Sequence, residues 1–229
     1  MRSSTGSNPS RDDEDLEPMA CFPEESPSAR TDADSLPLRW SVHGVDDPRR
    51  AEVESFVRRV YARRFGARVP QFAPVLVSLG DAAGIAAAAG YRVARLGPLF
   101  LERYLDAPIE SVLARHAGRA PARERIVEVG HLAASRPGAG RRLIGLLGPY
   151  LAGLGCDWVA STVTIELRRL FARLGITPLA LGAADPALLG SDAACWGSYY
   201  AHRPVVLADR LSRVLPRLAR HRTPASDGR

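Results

Sequence analysis

The sequence predicts an α/β (α+β) fold, one domain built around a mixed sheet. Three observations predict it. Helix-spaced and strand-spaced apolar patterns alternate along the chain. Two adjacent strand-like runs, "APVLVSL" (73–79) and "IAAAAGYRVA" (85–94), flank the turn "GDAAG" and read as an antiparallel hairpin. The later strand-like runs are separated by helices, and no internal repeat is present.

Each element follows from its residues. In "DDPRRAEVESFVRRVYARRFGARV", Val53, Phe56, Val57, Val60 and Tyr61 share one helical face. Asp47 and Pro48 are suitable starting residues, and Arg58, Arg59, Arg63 and Arg64 form the other face. After the hairpin, 108–118 is a short helix and 124–134 a strand whose imperfect alternation suits burial on both faces. A helix is expected over Arg141–Gly155, a strand over 157–163, and a helix over 164–175 with Gly175 as its cap. A strand follows at 176–181. "WGSYYAHRPVVLADRLSRVLPRL" reads as an aromatic strand and a last helix.

Composition narrows the class. All 31 basic residues are arginine and the formal net charge is +6. A GC-rich genome accounts for that usage, and arginine also makes forked contacts to phosphate and carboxylate. Residues 1–37 hold nine acidic side chains and three arginines, a net of −6 that leaves +12 on the rest. Rich in Ser and Pro, this segment is expected to be a disordered acidic tail, with the domain over 38–220 and a second disordered tail at 221–229. It lacks the apolar centre of a secretion signal. The longest uncharged apolar stretch, Leu143–Cys156, has 14 residues, whereas a membrane span needs about 20. Three cysteines without C-x-x-C spacing read as reduced thiols, so a cytoplasmic location is expected. No His/Cys/Asp/Glu cluster has metal-ligand spacing, no G-x-S-x-G string occurs, and no aromatic-basic ladder suggests nucleic acid.

The stretch "LAASRPGAGRRL" carries the chemistry. A strand ending in a glycine turn and feeding a helix presents free backbone N–H groups, which attract phosphate. Ser135, Arg136, Gly138, Ala139, Gly140, Arg141 and Arg142 are the candidate phosphate-binding residues. The string is neither a P-loop nor a complete dinucleotide fingerprint, and a plain turn is the alternative.

With the helix, strand and "LRRLFARLGI" that follow, this stretch resembles the GNAT acyltransferase superfamily. That resemblance implies a mostly antiparallel sheet and a Gly-rich turn that holds the pyrophosphate of acyl-CoA. Ser135 stands where that family has Gln or Arg, and Phe171 where many members have the tyrosine that protonates the leaving thiolate. The strings "FVRRVYARRFGARVPQFAPVLVSL", "GPLFLERYLDAPIE", "RIVEVGHLAASRPGAG" and "WGSYYAHRPVV" resemble, in that order, the thermostable haemolysin family. That family carries Asn where this chain has His131. The layout is also similar to the acyl-homoserine-lactone synthases. By that similarity Glu128 matches the glutamate proposed to deprotonate the acyl-accepting amine.

Four residues are catalytic candidates. Glu128 sits in an apolar strand, where a carboxylate is costly unless it is paired or functional, so it is either an ion-pair partner or a general base. His131 is either a hydrogen-bonded cleft residue or a base. Tyr199 and Tyr200 would face opposite sides of a strand, one packed and one free to donate a proton. Trp196 reads as core. Three functions remain open. One is an acyltransferase taking an acyl group from acyl-CoA or an acidic acyl-carrier protein, with no permanently bound cofactor, to a small amine. The others are a non-catalytic acyl-thioester-binding protein and a directly membrane-active haemolysin.

Overall fold

The computed structural model describes residues 38–220. The two tails expected at 1–37 and 221–229 lie outside the described residues. Seven strands form one sheet: β1 (Arg39–His43), β2 (Val75–Asp81), β3 (Gly84–Val93), β4 (Ile126–Ala134), β5 (Trp158–Val163), β6 (Leu179–Ala183) and β7 (Val205–Arg210). Their order is β1-β2-β3-β4-β5-β7-β6. Neighbours are antiparallel except β4 and β5, which run parallel. The sheet is therefore mixed and mostly antiparallel, as the sequence predicts.

Five α-helices accompany it: α1 (Arg50–Phe65), α2 (Ile109–Ala117), α3 (Ala139–Gly153), α4 (Ile165–Arg173) and α5 (Leu211–Arg220). On one face Leu143, Leu147, Leu151, Val214 and Leu218 from α3 and α5 meet Val127, Val129 and Leu207. On the other, Val53, Phe56 and Val57 of α1 cover Leu76, Ala88 and Ala133, and Leu113 of α2 joins Ile126 and Trp158. Alternate residues of β4 thus enter different cores, which is why its sequence lacks a polar face.

Three local readings change. The stretch 196–202 is not a strand: 3₁₀ turns cover Pro186–Trp196 and Tyr199–His202, and β7 starts only at Val205. Its aromatic content favours a strand, but the Phe65 carbonyl takes the Ser198 N–H at 2.8 Å and removes that backbone from any ladder. The α3 helix begins two residues before Arg141, so Gly140 lies in its first turn. Of the expected basic face of α1, Arg58, Arg59 and Arg63 are exposed, whereas Arg64 turns inward toward Glu166.

Candidate active site

The parallel pairing of β4 and β5 lasts only three residues, from Ile126↔Trp158 to Glu128↔Ala160. Beyond it the Ser161 hydroxyl donates to the Val129 carbonyl at 2.6 Å. The strands then part, and a small cavity opens between Gly130–Leu132 and Thr162–Thr164, closed by Tyr61, Leu167 and Tyr199. A bulge shapes this edge. Gly90 pairs with Gly130 and Ala88 with Ala133, so two residues of β4 face one of β3. His131 sits in the bulge with φ 54°.

Beside the opening lies a larger cavity of about 350 Å³. Glu128 and Arg92 line it from the sheet, Phe72 from the segment after α1, and Phe100 and Tyr104 from the 3₁₀ turn Phe100–Tyr104. Trp196, Tyr199 and Tyr200 close it. Glu128 accepts the backbone N–H groups of Phe100 (2.8 Å) and Leu101 (3.0 Å), one on each carboxylate oxygen. Among the described residues it has no ion-pair partner, so the ion-pair alternative is replaced by an amide clamp. Burial pushes its carboxyl up to about 7 against the opposing effect of those two N–H groups.

His131 also lines the cavity, but Nε2–H donates to the Gln71 carbonyl at 3.0 Å. That bond leaves Nδ1 as the acceptor, which is buried without a hydrogen-bond partner. A Cβ on Gly90 would come within 3.0 Å of Nδ1, so the glycine makes room for the ring. Burial pushes the imidazole down to about 4, so it is neutral and weakly basic at neutral pH.

Tyr199 and Tyr200 divide their work, though not by strand alternation. The Tyr199 ring stacks on Tyr61 and its hydroxyl donates to the Thr162 carbonyl at 3.2 Å. Tyr200 bonds the hydroxyl of Tyr104 at 2.6 Å, and burial raises the pKa of both phenols. Trp196 packs in two apolar clusters and also lines the cavity, and its Nε1–H is buried out of reach of solvent with no hydrogen-bond partner. Sequence reasoning missed Tyr104, Arg92 and Thr162. The string "GPLFLERY" contains Tyr104, but nothing in its spacing shows that it meets Tyr200. Phe171 lines a separate apolar cavity of about 80 Å³ with Leu147, Leu151 and Val214, on the α3 side of the sheet.

At the turn before α3, Gly138 has φ 73°, a conformation that favours glycine. The Gly140 amide lies in the first turn of α3, where N–H groups have no carbonyl four residues back within the helix. Ala139 and Gly140 are buried, and Ser135 is tied to the Ala86 carbonyl through its backbone N–H at 2.9 Å. The arginines are not a free cluster. Arg136 grips both oxygens of Asp81 and also the Gly84 carbonyl, which fixes the β2–β3 turn. Arg142 donates to the Leu38 carbonyl at 3.4 Å. Arg141 is exposed.

Elsewhere, Ser78, His43 and Asp47 form a chain in the order of a hydrolase triad, 2.9 Å and 3.2 Å apart. Ser78 is only 4% exposed and lines none of the three cavities, so this chain ties β1 to β2 rather than meeting a substrate. Among the described residues no helix is long and apolar enough to cross a membrane, and no group of three or more His, Cys, Asp or Glu could hold a metal.

Comparison with known proteins agrees with this architecture. The family described as thermostable hemolysin matches residues 43–215. No curated protein matches the chain. Among solved structures, TofI in an apo form is similar with a TM-score of 0.56 at 19% identity, covering 79% of this chain and 96% of that one. BjaI, a CoA-dependent acyl-homoserine lactone synthase with SAM and isopentyl-CoA, gives 0.56 at 12% identity, covering 82% and 91%. FeeM, an N-acyl amino acid synthase from uncultured soil microbes, gives 0.52 at 13% identity, covering 77% and 93%. These likenesses show a shared acyltransferase fold.

Proposed function

The chain belongs to the thermostable hemolysin family, and from that premise we propose that it is an acyltransferase moving an acyl group from a CoA or carrier-protein thioester to an amine. The observation that carries the reading is the meeting, in one cavity beside the β4–β5 opening, of Glu128 with the Tyr104–Tyr200 pair. The first-turn amides of α3, with Arg141 and Arg142 nearby, suit the phosphates of the donor, and Arg136 belongs to the fold. The pantetheine arm then follows the opening, past Thr162, to bring its thioester into the cavity.

An amine attacks only as the free base. Glu128 takes the proton from the ammonium group, and a carboxyl near 7 suits that task at neutral pH. The nitrogen lone pair attacks the thioester carbonyl carbon. The tetrahedral adduct collapses, the C–S bond breaks, and the thiolate takes a proton from the tyrosine pair. The adduct nitrogen loses its second proton, which returns the tyrosine to its starting state through solvent, and Glu128 releases the first to water, so amide, free thiol and one proton result. This pair fills the role that Phe171 cannot perform, and His131 shapes the wall.

Such a protein works in the cytoplasm, where CoA and carrier-protein thioesters are made. An amphiphilic N-acyl product would lyse red cells without lysis by the protein itself, in keeping with the family's name. The test is thiol release from a straight-chain acyl-CoA series in the presence of primary amines, with mass spectrometry of the acylated amine. Amine-dependent release supports the reading. Failure of the full chain to bind CoA, acyl-CoA and acyl-carrier protein overturns it and leaves the pocket without a donor.

A further inference from the structure

The large cavity has one anion and one cation facing each other without being joined. Arg92 on β3 and Glu128 on β4 are direct cross-strand partners, so their side chains leave the sheet on the same face. Both line the cavity. Among the described residues neither takes part in an ion pair. Each is instead steadied by backbone. The Glu128 oxygens are held by the Phe100 and Leu101 amides, and one Arg92 nitrogen donates to the Pro98 carbonyl over a long 3.3 Å. The other charged pair on the wall is already closed, because Arg103 bonds Asp192 at 3.0 Å and the Leu189 carbonyl at 3.3 Å.

Resting on the acyltransferase reading above, we propose that the acceptor is an α-amino acid with an apolar side chain, its ammonium group against Glu128 and its carboxylate against Arg92. A simple amine would leave Arg92 facing an empty place. A zwitterion fills it, because its two charged groups are one carbon apart and match adjacent residues of opposite sign on one sheet face. The remaining wall suits the apolar side chain. Phe72, Phe100 and Trp196 supply apolar area. The product is then an N-acyl amino acid: the amide nitrogen has lost its charge, while the carboxylate stays on Arg92. That loss releases the contact to Glu128 and favours departure.

The test separates acceptor binding from chemistry. The probes are L-phenylalanine and phenethylamine, which differ only by the carboxylate, titrated calorimetrically into the full chain saturated with CoA. The amino acid is expected to bind about 10- to 100-fold more tightly. Arg92→Gln should remove that difference, and Arg92→Lys should restore part of it. Equal binding of the two probes by the wild type overturns the inference, as does an Arg92→Gln variant that keeps the preference. If the preference is present and no acyl transfer follows with any acyl-CoA or acyl-carrier protein, the donor reading fails while the acceptor site stands.

Discussion

The phenol oxygens of Tyr104 and Tyr200 lie 2.6 Å apart, although the residues are 96 positions apart in the chain. One comes from the 3₁₀ turn before α2 and the other from the 3₁₀ turn before β7. Burial pushes both pKa values up, so both stay protonated at neutral pH and one hydrogen bond joins them. Removing either hydroxyl breaks the pair. Tyr104→Phe or Tyr200→Phe should each lower kcat by about 10²-fold, with the KM for donor unchanged. The double variant should be no slower than the slower single one, as for residues acting as a unit. Single-turnover acyl transfer checks both statements, and additive losses would show that the phenols act separately.

Glu128 predicts a pH dependence in two observables. With its carboxyl pushed up to about 7, kcat/KM should rise through about pH 7 as the base form appears. Stability should move the other way. The folded state holds the proton above the ordinary value of 4.5, so the stabilisation is full below 4.5 and is lost as pH rises to about 7. Chemical denaturation across that range checks the sign. A rate that is flat from pH 6 to 8 would remove Glu128 as the base.

Glu128→Gln is a less neutral variant than the sequence suggests. Two backbone N–H groups each hold one carboxylate oxygen, and a carboxamide offers only one oxygen. The variant leaves one amide unpaired, at a cost of about 1–3 kcal/mol. Acyl transfer should still fall by about 10²–10⁴-fold, the usual worth of a base. Titration with CoA should show donor binding retained. Loss of CoA binding in this variant would mean that the clamp supports the donor site too.

The two turn glycines should separate binding from folding. Gly138 has φ 73°, so Gly138→Val places a β-branched side chain in a conformation that costs about 1–2 kcal/mol. That variant should be destabilised whatever it binds. Gly140 has ordinary helical geometry but is buried in the first turn of α3, so Gly140→Ala, which adds one methyl rather than an isopropyl group, is the cleaner test. It should weaken CoA by at least about 10-fold with a smaller change in the unfolding midpoint. Unchanged affinity would place the donor phosphates elsewhere.

Much of this fold was legible because periodicity reports burial. The hairpin from 73 to 94, both faces of β4, and the α3 and α4 helices follow from apolar spacing alone. Glu128 was legible too, since a carboxylate inside "IVEVG" breaks an apolar run. The pairing of Tyr104 with Tyr200 was not legible. It depends on two 3₁₀ turns whose backbones follow local captures, such as the Ser198 N–H by the Phe65 carbonyl, that leave no periodic mark. Arg136 was misread for a related reason. Its neighbours in sequence suggest a phosphate, but its partner Asp81 lies 55 residues away.

The loop that brings Tyr104 to the cavity depends on Arg123. Its guanidinium reaches the carboxylates of Glu102 and Glu110 and the carbonyls of Ala94 and Gly97. Glu102 in turn accepts the N–H groups of Leu99 and Ile109, each at 2.8 Å. Burial alone would raise the Glu102 carboxyl, but Arg123 and those two amides hold it below its ordinary 4.5. A depressed value stabilises the fold above about pH 4.5, and the contribution is lost as pH falls through the lower folded value. Arg123→Ala should therefore destabilise by about 1–3 kcal/mol at pH 7, less than a fully buried pair because the guanidinium is partly open to water. Denaturant unfolding of both proteins should show the gap narrowing below pH 4.5. Because Tyr104 and the Phe100 and Leu101 amides ride on this loop, kcat should fall while CoA affinity at α3 is kept. A variant that loses stability but keeps full kcat would show that the loop holds its place without Arg123.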